Sequence, residues 1–181
     1  CVRTHHLSQV WGNSLALWQE QLNVFPSEAI ALNNLAVALR GQKEFKEAEA
    51  KYKLVLPLLA EGKEENLTPQ FLAIKEKVEY IEGLFQRALQ ADPKFTDAPY
   101  NLAQLYRDIG RIQEALVLYQ KVIDLDPYYK DVYFSVGNLF AELNKSKEAI
   151  EAYEQTIRTK PDDEEIYINV LRAYAKIIKE G

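Results

Sequence analysis

The stretch from Pro93 to Pro127, PKFTDAPYNLAQLYRDIGRIQEALVLYQKVIDLDP, decides the reading of this chain. The 34 residues that follow, YYKDVYFSVGNLFAELNKSKEAIEAYEQTIRTKP, repeat its plan and end at Pro161. The prolines keep one step, since 127 − 93 and 161 − 127 both give 34. The same step relates Leu102 to Val136, Ala115 to Ala149, Tyr119 to Tyr153, and Tyr106 to Phe140 and then Tyr174. Within a unit, Leu102-Ala103-x-x-Tyr106 and Ala115-x-x-x-Tyr119 set apolar residues one helical turn apart on two segments. A break at Gly110 or Asn144 separates the segments, so the pattern predicts a helical hairpin. Small residues at Ala103, Gly137, Ala115 and Ala149 let the two helices approach closely, and Tyr119 and Tyr153 fill the space beside them. Pro127 and Pro161 stop the second helix, because proline has no N–H and disfavours helix in the residue before it.

Outward from this core the units are looser. Leu32, Leu35, Ala36 and Leu39, followed by Ala48 and Tyr52, repeat the hairpin pattern. Trp11, Leu15, Trp18 and Pro26 read as the second helix of a preceding unit, so the array is expected to start mid-repeat. Residues 61–66 are a polar loop. Beyond it Phe71, Ile74, Val78, Ile81, Phe85 and Ala88 share one face of an uninterrupted pattern, which predicts one long helix in place of a pair. Near the C-terminus Tyr167, Val170 and Tyr174 supply only a first helix, with Ile177 and Ile178 expected to stay partly exposed. The expected organisation is a single array: a half repeat at 7–26, a repeat at 29–60, an irregular repeat at 61–93, repeats at 96–127 and 130–161, and a terminal helix at 163–181.

The 34-residue spacing of large, small, aromatic and proline positions resembles the tetratricopeptide repeat family. The resemblance implies an all-α fold, an α-α superhelix in which antiparallel helix pairs stack as a right-handed solenoid, and a scaffold function.

Composition narrows the alternatives. The 181 residues are 48% hydrophobic and 27% charged, enough apolar material for a continuous core. The formal net charge of −5 argues against nucleic acid, whose affinity rests on clustered Lys and Arg. No apolar run approaches the ~20 residues of a membrane span, so this chain is not expected to insert into a bilayer. Cys1 is the single cysteine and excludes a disulfide framework. The sequence contains no Met, position 1 included, and so reads as an excised or processed chain. A mature lipoprotein would also begin with Cys, but helix-like sequence follows here without the usual flexible tether.

Chemistry has few candidates. His5 and His6, the two histidines, are neighbours that point apart on a helix and lack further soft ligands. Asp162, Asp163, Glu164 and Glu165 match the acids that a helix dipole favours in a first turn. No convergent nucleophile, base or phosphate loop appears, so the expectation is no enzyme activity, no cofactor and no metal.

A binding surface is more legible. One residue before each Leu or Val core position stand Asn34, Asn101, Ser135 and Asn169, at the 34-residue step from Asn101 onward. A carboxamide offers both a donor and an acceptor to a peptide backbone. By resemblance to family members that hold peptides through an Asn ladder, Asn34, Asn101 and Asn169 are the candidate peptide ligands. Asn at this position can equally bond its own or a neighbouring helix. Tyr100 and Phe134, with Ile168 at the same repeat position, are candidate apolar anchors, flanked by Gln104, Asn138 and Arg172. Asp97, Asp131 and Glu165 lie nearer the helix starts and favour a partner with some positive charge. Members that grip acidic chaperone C-termini use Lys, Asn and Arg at fixed positions, whereas Asn33, Val37 and Asp97 stand at several of these here, so that clamp is not expected.

The leading expectation is a scaffold that binds an extended peptide or partner protein in a concave groove, with self-association as a further possibility. A second reading comes from Arg3, Trp11, Leu15, Trp18 and Pro26, spaced R-x7-W-x3-L-x2-W-x7-P. This is similar to the segment after the last membrane span of multi-pass glycosyltransferases with C-terminal tetratricopeptide arrays. It implies an extracytoplasmic appendage of such an enzyme, with no catalytic residue in this chain; otherwise a cytoplasmic protein is expected.

Overall fold

The computed structural model describes residues 15–63, 67–129, 132–159 and 164–180. Within them all regular structure is helical: α1 (15–24), α2 (Ala29–Arg40), α3 (Lys43–Ala60), α4 (Pro69–Ala91), α5 (Asp97–Ile109), α6 (Ile112–Leu125), α7 (Val132–Glu142), α8 (Ser146–Thr159) and α9 (Glu164–Glu180). Two compact units divide within α6, one running to Ala115 and the other from Leu116.

The hairpin turns follow from local chemistry. At the end of α5, Gly110 adopts φ 89°, and the Arg111 N–H reaches back to the Tyr106 carbonyl at 2.7 Å. Asn144 stands 34 residues later with φ 60°, and the Lys145 N–H reaches the Phe140 carbonyl at 2.9 Å. Both close the helix with a left-handed residue that satisfies its last carbonyls. Glycine enters this region without penalty and asparagine tolerates it, which is why these two types occupy the break. Residues preceding the prolines also repeat. Asp92 Oδ1 accepts the Lys94 N–H and Asp126 Oδ1 accepts the Tyr128 N–H, each at 3.0 Å, so an aspartate turn accompanies the stops at Pro93 and Pro127.

In the first unit α4 is one continuous helix of 23 residues, started by Pro69 in its first turn. Its buried face, Ile74, Val78, Ile81, Leu84, Phe85 and Ala88, packs against α2, α3 and α5. α2 contributes Ala31, Leu32, Leu35 and Ala36, α3 contributes Phe45, Ala48 and Tyr52, and α5 contributes Leu102, Ala103, Leu105 and Tyr106. Phe85 is fully buried there, and truncating such a ring costs about 3–5 kcal/mol. Arg87 on α4 donates to the Pro26 carbonyl at 2.7 Å and so holds the turn after α1.

In the second unit α7 and α8 form the hairpin and α9 packs on α8. Its core holds Tyr119, Val122, Val132, Leu139, Ala149 and Tyr153. Gly137 is the contact point of the hairpin. A Cβ there would lie 2.5 Å from Cδ1 and Cε1 of Tyr153, so only glycine admits the ring at this approach.

Candidate functional site

In the first unit the predicted Asn34 and Asn101 are joined through a third asparagine. Asn33 is almost fully buried; its Oδ1 accepts from Asn101 Nδ2 at 2.9 Å, and its own Nδ2 donates to Asn34 Oδ1 at 3.3 Å. A buried carboxamide without partners would carry a large desolvation cost, and this relay from α5 to α2 removes it. Asn34 and Asn101, both half-buried, are thereby fixed in orientation. Asn33 was legible in the sequence only as a residue beside the ladder. Its spacing of 68 from Asn101, twice the repeat, was the signal available.

Next to Asn101 an open recess of about 230 Å³ is bordered by Val37, Arg40, Glu49, Gln104 and Asp108. Arg40 on α2 bonds Glu49 on α3 at 2.6 Å and also pairs with Asp108 on α5. The recess floor is therefore an ion triad that ties three helices. Burial raises the Glu49 carboxyl above its ordinary value even though Arg40 opposes the shift. Val37 and Gln104 present an apolar and an amide surface at its edge, while Tyr100 is buried. Asp97 is half-buried at the start of α5, and Asp131 lies outside the described residues.

A second polar cluster braces α4 and α5. Tyr106 Oη donates to Glu82 at 2.6 Å, Arg111 bonds the other Glu82 oxygen at 2.8 Å, and the guanidinium stacks 4.1 Å over the Tyr106 ring. Burial, then the bond to Glu82, pushes the Tyr106 hydroxyl up to about 12. For Arg111 burial works against the charge, but Glu114 and Glu82 outweigh it and raise its pKa. These shifts arise from packing between helices. Among the described residues no set of three or more His, Cys, Asp and Glu side chains is placed to hold a metal, and no helix is long and apolar enough to cross a membrane. His5 and His6, like Arg3 and Trp11 of the N-terminal pattern, lie outside the described residues; Leu15 and Trp18 are half-buried in α1.

In the second unit the predicted residues fall into two groups. Phe134 packs on Tyr153, ring centroids 5.8 Å apart at 47°, and Asn138 Oδ1 accepts the Tyr153 hydroxyl at 2.7 Å. Both therefore brace the α7–α8 hairpin, each with part of its surface exposed. On α9, Arg172 donates to Asn169 Oδ1 at 3.2 Å one turn away, and Ile168 is exposed. The Glu165 and Ile177 side chains lie outside the described set, as do Asp162 and Asp163.

Sequence comparison agrees with this geometry. Models described as tetratricopeptide repeat match residues 29–57, 84–117 and 131–163, and one described as TPR repeat matches 103–144. The chain belongs to the tetratricopeptide repeat family. Solved tetratricopeptide repeat structures share the fold. A crystal structure of MamA protein has a TM-score of 0.66 at 18% identity, covering 96% of this chain and 77% of that one. TTC0263, a thermophilic TPR protein from Thermus thermophilus, has a TM-score of 0.53 at 15% identity, covering 96% and 95%. The first TPR of Spaghetti (RPAP3), solved with the HSP90 peptide SRMEEVD, has a TM-score of 0.53 at 16% identity, covering 76% and 96%. No match is found among curated protein sequences. The all-α hairpin architecture, the repeat step and the family are thus common to this chain and to tetratricopeptide proteins, which serve as protein-interaction scaffolds.

Proposed function

We propose that this chain holds an extended peptide segment of another protein against the first helices of its repeats, with the recess beside Asn101 as the principal contact. The observation that carries the reading is the asparagine relay. The bond to Asn33 takes a donor of the Asn101 carboxamide, so Asn101 would use its oxygen to accept a peptide N–H, while Gln104 offers both functions beside it. Val37 supplies apolar contact at the same rim, and Arg40, already paired with two carboxylates, acts as a fixed wall. Phe134 and Asn169 extend the same role to the second unit. Nothing in this role requires catalysis, and we propose that the isolated chain is not an enzyme.

The test is a peptide array probed with the chain, followed by affinity measurement of any hit. Gln104→Ala and Val37→Asp should weaken binding about ten- to a hundredfold without unfolding, because each removes or opposes an interface contact. Val117→Asp, on an exposed position of α6, should leave it unchanged. Asn101→Ala, Asn169→Ala and Phe134→Ala complete the map. Binding that survives Gln104→Ala and Val37→Asp but is lost with Val117→Asp would place the partner elsewhere.

A further inference from the structure

Between α3 and α4 runs an open groove of about 290 Å³ that shares no residue with the recess beside Asn101. The two helices line it in the same direction and in one register, 26 residues apart: Glu44 stands level with Gln70 at one end, and Lys51 with Lys77 at the other. Ala48 and Ile74, at the same offset, form its buried floor. The offset persists further along, where Gly110 lies against Leu56 of α3 and the adjoining Arg111 pairs with Glu82 of α4. No described residue of the connection from α3 to α4 lines the groove. Its charge is ordered along its length. Glu44 and Glu47 occupy one end, and the two lysines lie about 10 Å from Glu44 at a rise of ~1.5 Å per residue. No acid stands three or four residues from Lys77 on α4, and its counterpart across the groove is a like charge. One turn beyond, at the same spacing and offset, Leu54 and Tyr80 are 69% and 56% exposed. From that end the surface offers apolar, then cationic, then small and anionic positions, at steps of three, four and three residues on both helices.

We infer that this groove seats an amphipathic helix of a partner protein, antiparallel to α3 and α4, with an apolar residue and a carboxylate near its N-terminus and basic residues one to two turns later. The spacing selects a helix. Contact positions recur every ~5 Å along the groove, which the face of a helix reproduces step for step, whereas an extended strand presents like-facing side chains every ~6.7 Å and falls out of step. The charge order selects its direction. Acids favour a helix N-terminus and bases its C-terminus, so an antiparallel helix brings its carboxylate to Lys51 and Lys77 and its bases to Glu44 and Glu47, with its dipole opposed to those of α3 and α4. Ala48 and Ala73 in the middle admit close approach. The apolar end selects a different chain over a second copy. Two-fold symmetry that sets Lys51 against Glu47 also sets Leu54 and Tyr80 against Glu44 and Gln70, so the apolar end would meet the polar one. This interface uses another face of α3 than the recess beside Asn101 and stands without the peptide-binding reading.

The test uses a fluorescent, side-chain-stapled helical peptide of about 15 residues, alanine-rich, with Leu, Glu, Lys and Lys at steps of three, four and three from its N-terminus. A control peptide carries the same four residues in reverse order. Fluorescence anisotropy is followed as the whole chain is titrated to about 500 μM. The expected result is saturable binding of the first peptide, with the reversed one weaker by about fivefold or more. Lys51→Glu together with Lys77→Glu should weaken the first peptide by about fivefold or more, and a peptide with Lys in place of its Glu should regain affinity for that variant. Val37→Asp, at the recess, should leave binding in place. All three positions are exposed, so far-UV circular dichroism of the variants should match the parent. No binding of the first peptide, equal affinity for both peptides, or a loss with Val37→Asp that the lysine reversals do not reproduce would each overturn the helix seat. A concentration-dependent dimer in sedimentation equilibrium that the lysine reversals abolish would give the face to a second copy and overturn it equally.

Discussion

Replacing Gly137 by Ala sets two opposing effects against each other in one position. In a helix interior the substitution gains about 1 kcal/mol from backbone propensity. Against this, the new methyl would sit 2.5 Å from two Tyr153 ring carbons and 3.1 Å from Cζ, where carbon contacts are favourable at about 3.5–4.0 Å. The ring has to move by ~1 Å, and it is held on every side. Its residue is 2% exposed, its hydroxyl is bonded to Asn138 at 2.7 Å, and Phe134 packs on its face. Overpacking of this kind costs about 1–3 kcal/mol, and so tight a contact belongs at the upper end. The net loss should be about 2 kcal/mol, or a fall in Tm of roughly 4–8 °C for a chain of this size. Two reference variants make the origin visible. Gly83 in α4 has nothing within 4 Å of its would-be Cβ, so Gly83→Ala should stabilise by about 0.5–1 kcal/mol. In a Tyr153→Leu background the clash is gone, so Gly137→Ala should become neutral or stabilising there. Thermal and urea unfolding of the four-member cycle give the comparison. If Gly137→Ala costs as much in the Tyr153→Leu background as in the parent, or stabilises the parent, the Gly137–Tyr153 contact does not set the hairpin distance.

Three further outcomes follow from the same coordinates. Asn33→Leu should destabilise by about 1–3 kcal/mol, since it leaves Asn101 and Asn34 without their shared partner; unfolding by urea checks this, and a neutral result would remove the relay as a structural element. Gly110→Ala should cost about 1–2 kcal/mol because φ is 89° and its Cβ would crowd Leu56 at 3.3 Å, whereas Asn144→Gly should be neutral or slightly stabilising; equal effects in Tm would contradict the left-handed caps. Tyr106 and Tyr153 are each raised from 10.0 to about 12, chiefly by burial, so the unfolded chain releases these protons first. The stability they contribute is complete below pH ~10 and falls as pH rises from there through ~12, by up to ~1.4 kcal/mol per pH unit for each group. Tyr106→Phe should flatten that alkaline slope in urea unfolding measured from pH 8 to 11, and an unchanged slope would exclude Tyr106 as a source.

The sequence by itself determined the helical class, the 34-residue step and the residues that form the hairpin core. Those features depend on short-range periodicity: Leu102, Ala103 and Tyr106 share a helix face because of the 3.6-residue turn, whatever lies opposite. It also marked α4 as one helix, because no proline or polar run divides Phe71 to Leu89 and the apolar pattern continues through its one glycine, Gly83, unlike the break between α5 and α6. The roles of polar residues were not legible in the same way. Asn101 and Asn138 look alike along the chain, yet one bonds Asn33, 68 residues away, and the other holds the hydroxyl of Tyr153. Arg40 has no local signal for its pairing with both Glu49 and Asp108. Whether a carboxamide or guanidinium serves packing or a partner depends on which group lies across the next helix, a long-range distance that only the tertiary structure decides. The same holds for α9, where Tyr167, Val170 and Tyr174 read as one helix pattern, yet Val170 packs on the Tyr153 cluster while Tyr167 and Tyr174 stand largely exposed. Periodicity specifies which face of a helix is apolar, and only the assembled neighbours determine whether that face is covered.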